Sequence, residues 1–261
     1  MMTSHIRQQG STLVVVLIML VIITIIGVLG VRQSMTSLHV ATNSQINELL
    51  RQSSDSAMLA LEKSTDLAEL ATASGILGFI SQPQNINKEL VFCFKKNQGV
   101  AFNLSQASML EFTGSTVVNN GLGDRGFCKP QQHIFYTSQR NAVITQVAVK
   151  RSTAGVLEPA FSNYVVGTDF VSAKTQNNQR FTVYATSVLP SVGGASKEEI
   201  YACLSTRLSG ATQSATLDPL TEDDENSAAS TVSKCLEGLG VPYITQVADY
   251  SYMIGFDPTK D

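Results

Sequence analysis

Four cysteines, Cys93, Cys128, Cys203 and Cys235, have the plainest chemistry in this chain, oxidation in pairs. Their number is even, no Cys-x-x-Cys occurs, and the three histidines, His5, His39 and His133, are scattered, so a zinc site has no ligand cluster to use. Three pairings are open. Cys93–Cys128 with Cys203–Cys235 is favoured, because each bond closes a local loop and is worth about 3.7 kcal/mol in the chain-entropy model. The run "TEDDEN" sets Glu222, Asp223, Asp224 and Glu225 side by side, a weak candidate for a divalent cation. It lacks the alternating Asp-x-Asp-x-Asp-Gly spacing, so a solvated acidic loop is the reading adopted. His133 has many serines downstream but no Gly-x-Ser-x-Gly to point to one of them. Tyr250 and Tyr252 alternate on the last apolar run, as a partner-facing pair or, more commonly, as sheet packing. The residues point to no enzyme, no metal and no cofactor.

These residues must be carried by elements that the rest of the sequence can build. The chain has 261 residues, 43% of them hydrophobic, with a formal net charge of −3. Its only basic clusters are Lys95-Lys96 and Lys150-Arg151, too little for a nucleic-acid footprint. Leu13 to Val31 is an apolar run of about 19 residues, enough at 1.5 Å per residue to cross the roughly 30 Å hydrocarbon core of a bilayer. It is too long for a secretory signal and has no small-residue cleavage site after it. Arg7 before it and Arg32 after it leave the charge rule for orientation nearly silent. From Arg32 to about Ser74 there is neither Pro nor Gly, and Leu38, Ile46, Leu49, Leu50, Ala57, Met58 and Leu61 recur at helical spacing. The pattern predicts one helix from Ser11 to about Ser74, roughly 95 Å long, closed by Gly75. Strict heptads are not sustained, which disfavours a coiled-coil stalk.

The stretch "RQQGSTLVVVLIMLVIITIIGVLGVRQSM" resembles the class III signal of type IV pilins and pseudopilins. In that signal a short leader ending in Gly is removed by a prepilin peptidase, and the new N-terminus is methylated. The resemblance makes residues 1–10 the leader, Gly10 its last residue and Ser11 the first mature one. Residues 11–74 become the long helix, transmembrane over 11–31 and amphipathic over 32–74. Most pilins carry Glu where this chain has Val15, and Phe as the first mature residue, so it departs twice. An all-aliphatic start is similar to the minor pilins of the PilX type and to the K-type pseudopilin of type II secretion. The K-type carries a larger inserted helical domain, for which this chain has no room. "RFTVYATSVLPSVGGASKEEIYACLSTRL" is more loosely similar to the C-terminal strand pair of PilX-type proteins.

Physical reasons stand beside the resemblance. Gly10 gives a peptidase a backbone with no side chain in the way. Gly27 and Gly30 let neighbouring helices approach closely, although Gly is also simply frequent in membrane helices. In pilins, the resemblance implies, the Glu at the Val15 position pairs with the amine of the subunit ahead. Val15 has no such requirement and suits a filament tip.

Residues 75–261 read as a β-rich head with two disulfides, which with the implied orientation means the periplasm of a Gram-negative bacterium. The fold class expected is α+β, type IV pilin-like, a long helix laid on an antiparallel sheet. The runs "ELVFCF", "GVAFNL", "HIFYTS", "AVITQVAVKR", "NYVVGTDFVSA", "RFTVYATSVL", "EIYACLSTRL" and "YITQVADYSYMIGF" are the expected strands, and "SAASTVSKCLEGLG" a short helix. Arg180–Leu189 and Glu199–Leu208 are expected to form a hairpin across Gly193-Gly194. The resemblance implies a minor pilin of the tip or priming complex that starts a fibre used in adhesion, twitching motility or DNA uptake. Its implied partners are other minor pilins, the major pilin, the prepilin peptidase, a large tip adhesin and the inner membrane. From a different class, a single-pass periplasmic binding or sensor protein would keep its leader.

Overall fold

The structure is a computed structural model, and it describes residues 11–63, 70, 72, 74–85, 87–95, 102–114, 116–119, 121–138, 140–152, 178–210 and 231–253. The expected leader, the run "NYVVGTDFVSA" and the acidic run 222–225 lie outside the described residues. The chain divides into two compact units, residues 1–48 and 49–261.

Helix α1 is described over Ser11–Glu62. Its first half is rich in Val and Ile, poor helix formers in water, but a helix satisfies every backbone group internally and so suits an apolar surrounding. Three threonines on it, Thr24, Thr36 and Thr42, donate their hydroxyls back to the carbonyls of Val21, Arg32 and Leu38, so those hydroxyls are satisfied within the helix. The described helix ends at Glu62, short of the expected 74. Gly75 does not close it: Gly75 is the N-cap of a five-residue helix, α2, Ile76–Ile80.

The second unit is built on one antiparallel sheet in the order β3-β2-β1-β4-β5-β6. Its strands are β1 (Lys88–Phe94), β2 (Ser108–Phe112), β3 (Val117–Asn119), β4 (Ile144–Arg151), β5 (Asn178–Val188) and β6 (Tyr243–Met253). Two further helices, α3 (Lys197–Thr206) and α4 (Val232–Gly238), lie between β5 and β6 in sequence. Strand alternation sorts the core into two layers. Leu90 and Phe92 of β1, Val147 and Val149 of β4, and Phe181, Val183 and Ala185 of β5 cluster with Ala57 and Leu61 of α1 and with Ile76, Leu77 and Ile80 of α2. The opposite parity, Cys93, Ile144 and Val188, clusters with Ile200 and Leu204 of α3 and Val232 and Leu236 of α4. The sheet is therefore covered on both faces, and β1 is apolar on both parities apart from Glu89.

Several expected elements differ. "EIYACLSTRL" is not a strand but helix α3, and β5 pairs instead with β4 on one side and with β6 on the other. The local chemistry decides it. The Glu199 amide donates to Ser196 Oγ (3.2 Å) and the Ser196 amide to the Glu199 carboxylate (2.7 Å), a capping box that satisfies two free helix-end donors at once. Gly193-Gly194 is a turn as expected, with Gly193 at φ +115°, but it leads from strand to helix. "HIFYTS" forms a 3₁₀ turn at His133–Phe135 with a single bridge from Tyr136 to Ile144. The described part of "GVAFNL" holds no strand, since Asn103 caps a 3₁₀ turn at Leu104–Gln106. Strands β2 and β3 were not foreseen.

Candidate functional site

The residues with a foreseeable role fall on two surfaces. The first is α1 over residues 13–48, whose large apolar side chains from Leu13 to Val40 are all exposed. Its apolar portion, which carries no charge before Arg32, makes α1 long and apolar enough to cross a membrane. Val15 lies in this stretch and is 56% exposed. A Cβ added at Gly27 or at Gly30 would meet nothing within 4 Å, so neither glycine is required by the packing of this chain itself. Such a surface needs lipid or other helices around it. Ser11 lies within α1, and Gly10 lies outside the described residues.

The second is the joint between the last turns of α1 and the sheet. Leu50, Ser53, Ser54, Ala57 and Leu61 are buried at helical spacing, and the small side chains among them let the helix approach the strands. Ser53 on α1 donates to Thr137 Oγ1 (2.9 Å) and shares a hydrogen bond with Thr145 of β4 (2.8 Å), which shares another with Ser187 of β5 (2.8 Å). A shallow cavity of about 330 Å³ opens beside this hydroxyl ladder, lined by Leu49, Gln52, Phe94 and Val143 among others. Further along, Gln246 donates to Asp55 (2.6 Å) and Tyr250 to Glu62 (2.9 Å). Partial burial and the Glu62 carboxylate push the Tyr250 hydroxyl up to about 12. Tyr250 thus turns to α1, as sheet packing would have it; the Tyr252 side chain lies outside the described residues.

The far face of the sheet holds the covalent and electrostatic fasteners. The bonded cysteines are Cys93 with Cys128 and Cys203 with Cys235. The first bond ties the 121–128 loop to β1, and the second ties α3 to α4. Gly126 explains how the loop comes so near: a Cβ there would overlap the Val91 carbonyl and the Ser108 amide. Gln146 of β4 joins both regions, accepting from the Cys128 amide (3.2 Å) and donating to the Leu204 carbonyl at the end of α3 (2.8 Å).

Glu89 is the residue that the sequence reading passed over. It is 1% exposed, and its two carboxylate oxygens accept the amides of Ser209 (2.8 Å) and Gly210 (2.9 Å). Lys150 stands directly across from it in the β1–β4 register. Burial pushes the Glu89 carboxyl up from its ordinary value, against the two amides and Lys150, which pull it down. The signal was present: in "KELVFCF" both parities are apolar, so a Glu in that strand had to be buried and partnered.

His133 is exposed on its 3₁₀ turn, an ordinary surface position, and the candidate cation loop Glu222–Glu225 lies outside the described residues. Among the described residues no three His, Cys, Asp or Glu side chains converge in a way that could hold a metal.

Residues 9–58 match the family model described as PilX N-terminal. No curated protein and no solved structure matches the chain. The match covers the apolar helix and the first turns laid on the sheet, and it supports the PilX-type pilin recognised from the same residues. The long apolar helix and the six-stranded antiparallel sheet together make the expected α+β, pilin-like arrangement. The match thus points to a type IV pilus minor pilin, a structural rather than catalytic kind of protein, and fits a membrane-anchored chain that works with other pilus components.

Proposed function

We propose that this chain is a minor pilin of the tip or priming complex from which a type IV pilus grows. Its apolar helix would hold it in the inner membrane with the head in the periplasm. Cleavage at Gly10–Ser11 and methylation of Ser11 would make it competent to assemble with other minor pilins, the major pilin and a large tip adhesin. The observation that carries the tip position is Val15. In a helix bundle of bilayer-like polarity an unpaired carboxylate costs at least a few kcal/mol, so Glu is useful only where the amine of a subunit ahead meets it. A subunit with nothing ahead has no use for that carboxylate, and an aliphatic residue serves it better. The two disulfides support an oxidising compartment for the head.

The test compares cells carrying the native chain and Val15→Glu, with fibres counted, the protein labelled along them, and the mature N-terminus read by mass spectrometry. Expected are a methylated Ser11, label at one fibre end, and fewer fibres of normal length in the variant. An intact Met1 or Met2 terminus would return the chain to a plain anchor. Label along the whole shaft, with fibre number unchanged by Val15→Glu, would remove it from the tip.

A further inference from the structure

The sheet ends in two different edges. At one end β3 is three residues long, Val117–Asn119, the usual way of blunting an edge. At the other end β6 is eleven residues long and pairs with β5 at every residue from Val188↔Tyr243 to Asn178↔Met253, with no bulge to twist it away. Among the described residues no strand pairs with its outer side. Its sequence, "YITQVADYSYM", has no Pro and no Lys or Arg, the residues that natural edges use to repel added strands, and Val247 in its middle is 56% exposed.

Charge says what such an edge would take. Asp249 is exposed on β6 itself. Asp55 and Glu62 of α1 are exposed on one face and bonded to the strand through Gln246 and Tyr250. On the other face burial, and after it the nearby Glu237 carboxylate of α4, push the Tyr243 hydroxyl up. The nearby cations Arg180 of β5 and Lys234 of α4 are not free.

We propose that the outer edge of β6 accepts an extended, basic segment of a partner protein as an added strand. Main-chain hydrogen bonds to this edge, unpaired among the described residues, supply the affinity, and alternate side chains supply the selection. Lys or Arg of the incoming strand reaches Asp249 on one face and Asp55 and Glu62 on the other, while its β-branched residues lie beside Val247. A second copy of this chain is a poor occupant, because it brings the same carboxylates against themselves. The inference goes beyond the fibre reading. It rests on the head alone, and its assay needs no fibre, so either can fail without the other.

The test uses the full chain in detergent micelles and a short synthetic peptide of Val and Thr that carries Lys on both faces of the strand, spaced so that a Val or Thr lies beside Val247. Titration is read together with hydrogen exchange of the β6 amides. Expected are binding that weakens with salt, new protection confined to β6, and about a tenfold loss on Val247→Lys with the melting temperature unchanged. Val247→Thr, which keeps the strand propensity without adding charge, should bind as the native chain does. The proposal is overturned by equal binding of the same peptide with Glu in place of Lys, or by no effect of Val247→Lys. It is equally overturned if the outer β6 amides are already protected in the protein alone, or if cross-linking at position 247 joins two copies of this chain.

Discussion

A carboxylate with both oxygens bonded to amides and a lysine across the strand would be secure in water; Glu89 instead sits where water does not reach, and burial outweighs its partners. Because its folded value stands above the ordinary one near 4.5, the folded chain binds more protons than the unfolded chain between the two values. The Glu89 contribution is thus greatest below the ordinary value and is lost as pH rises through the window up to the folded value. Glu89→Gln keeps the shape but turns an amide N–H₂ toward one of the two backbone donors, Ser209 or Gly210. The expected cost is about 1–3 kcal/mol, and the deficit should narrow as pH rises through that window, since only the native residue titrates there. Denaturant melts of both proteins at about pH 4 and about pH 7 measure it. A deficit independent of pH would mean that Glu89 is not buried as described.

Among the elements, α3 shows what the sequence hid and why. "EIYACLSTRL" carries Ile, Tyr, Cys and Leu in a rhythm close enough to two to pass for a strand. Ile200, Cys203 and Leu204 are nevertheless its buried residues, a spacing of three and four. The decisive sign lay just upstream in Ser196 and Glu199, the capping box, which outranks β propensity because it fixes the first turn. The inner strands β1, β4 and β5 were legible for the opposite reason. They carry large apolar residues at alternate positions, Leu90 and Phe92, Val147 and Val149, Phe181 and Val183, and are bounded by turns. Strands β2 and β3 were not, since "SMLEF" and "VVN" are short and owe their place to partners rather than to their own pattern. Of the candidate site, the apolar helix and the cysteines could be read directly. Glu89 was legible only from the apolar residues on both parities around it, and the ladder of Ser53, Thr145 and Ser187 was not legible, because polar residues in strands and helices read as exposed until the covering layer is known. Ser196→Ala should lower the melting temperature by about 2–4 °C without changing strand content, as a lost N-cap does in a chain of this size. Circular dichroism during a thermal scan reports both, and an unchanged melt would show that the disulfide to Cys235 alone holds α3.

The whole molecule uses one helix for two solvents. Residues 13–31 of α1 present apolar side chains all round, while Leu50, Ala57 and Leu61 of the same helix belong to the core of the second unit. The two uses are separable in sequence, since the compact unit begins at Leu49. A chain that begins at residue 33 lacks the apolar segment yet keeps every helix residue that touches the sheet. It should be soluble without detergent, monomeric, and as cooperative in unfolding as the full protein. A chain that begins at residue 63 loses the cover over Phe92, Val147, Phe181 and Val183, together with the Ser53 hydroxyls and the Asp55 and Glu62 bonds to β6. Exposing even three such side chains forfeits about 5 kcal/mol or more, against a usual total of about 5–15 kcal/mol for a domain. Gel filtration and chemical denaturation should therefore find the longer chain folded and the shorter one aggregated or molten, even with both disulfides formed, because neither bond lies on the α1 side of the sheet. Equal stability of the two would mean that the sheet and its far layer fold by themselves, and that α1 only leans on a finished head.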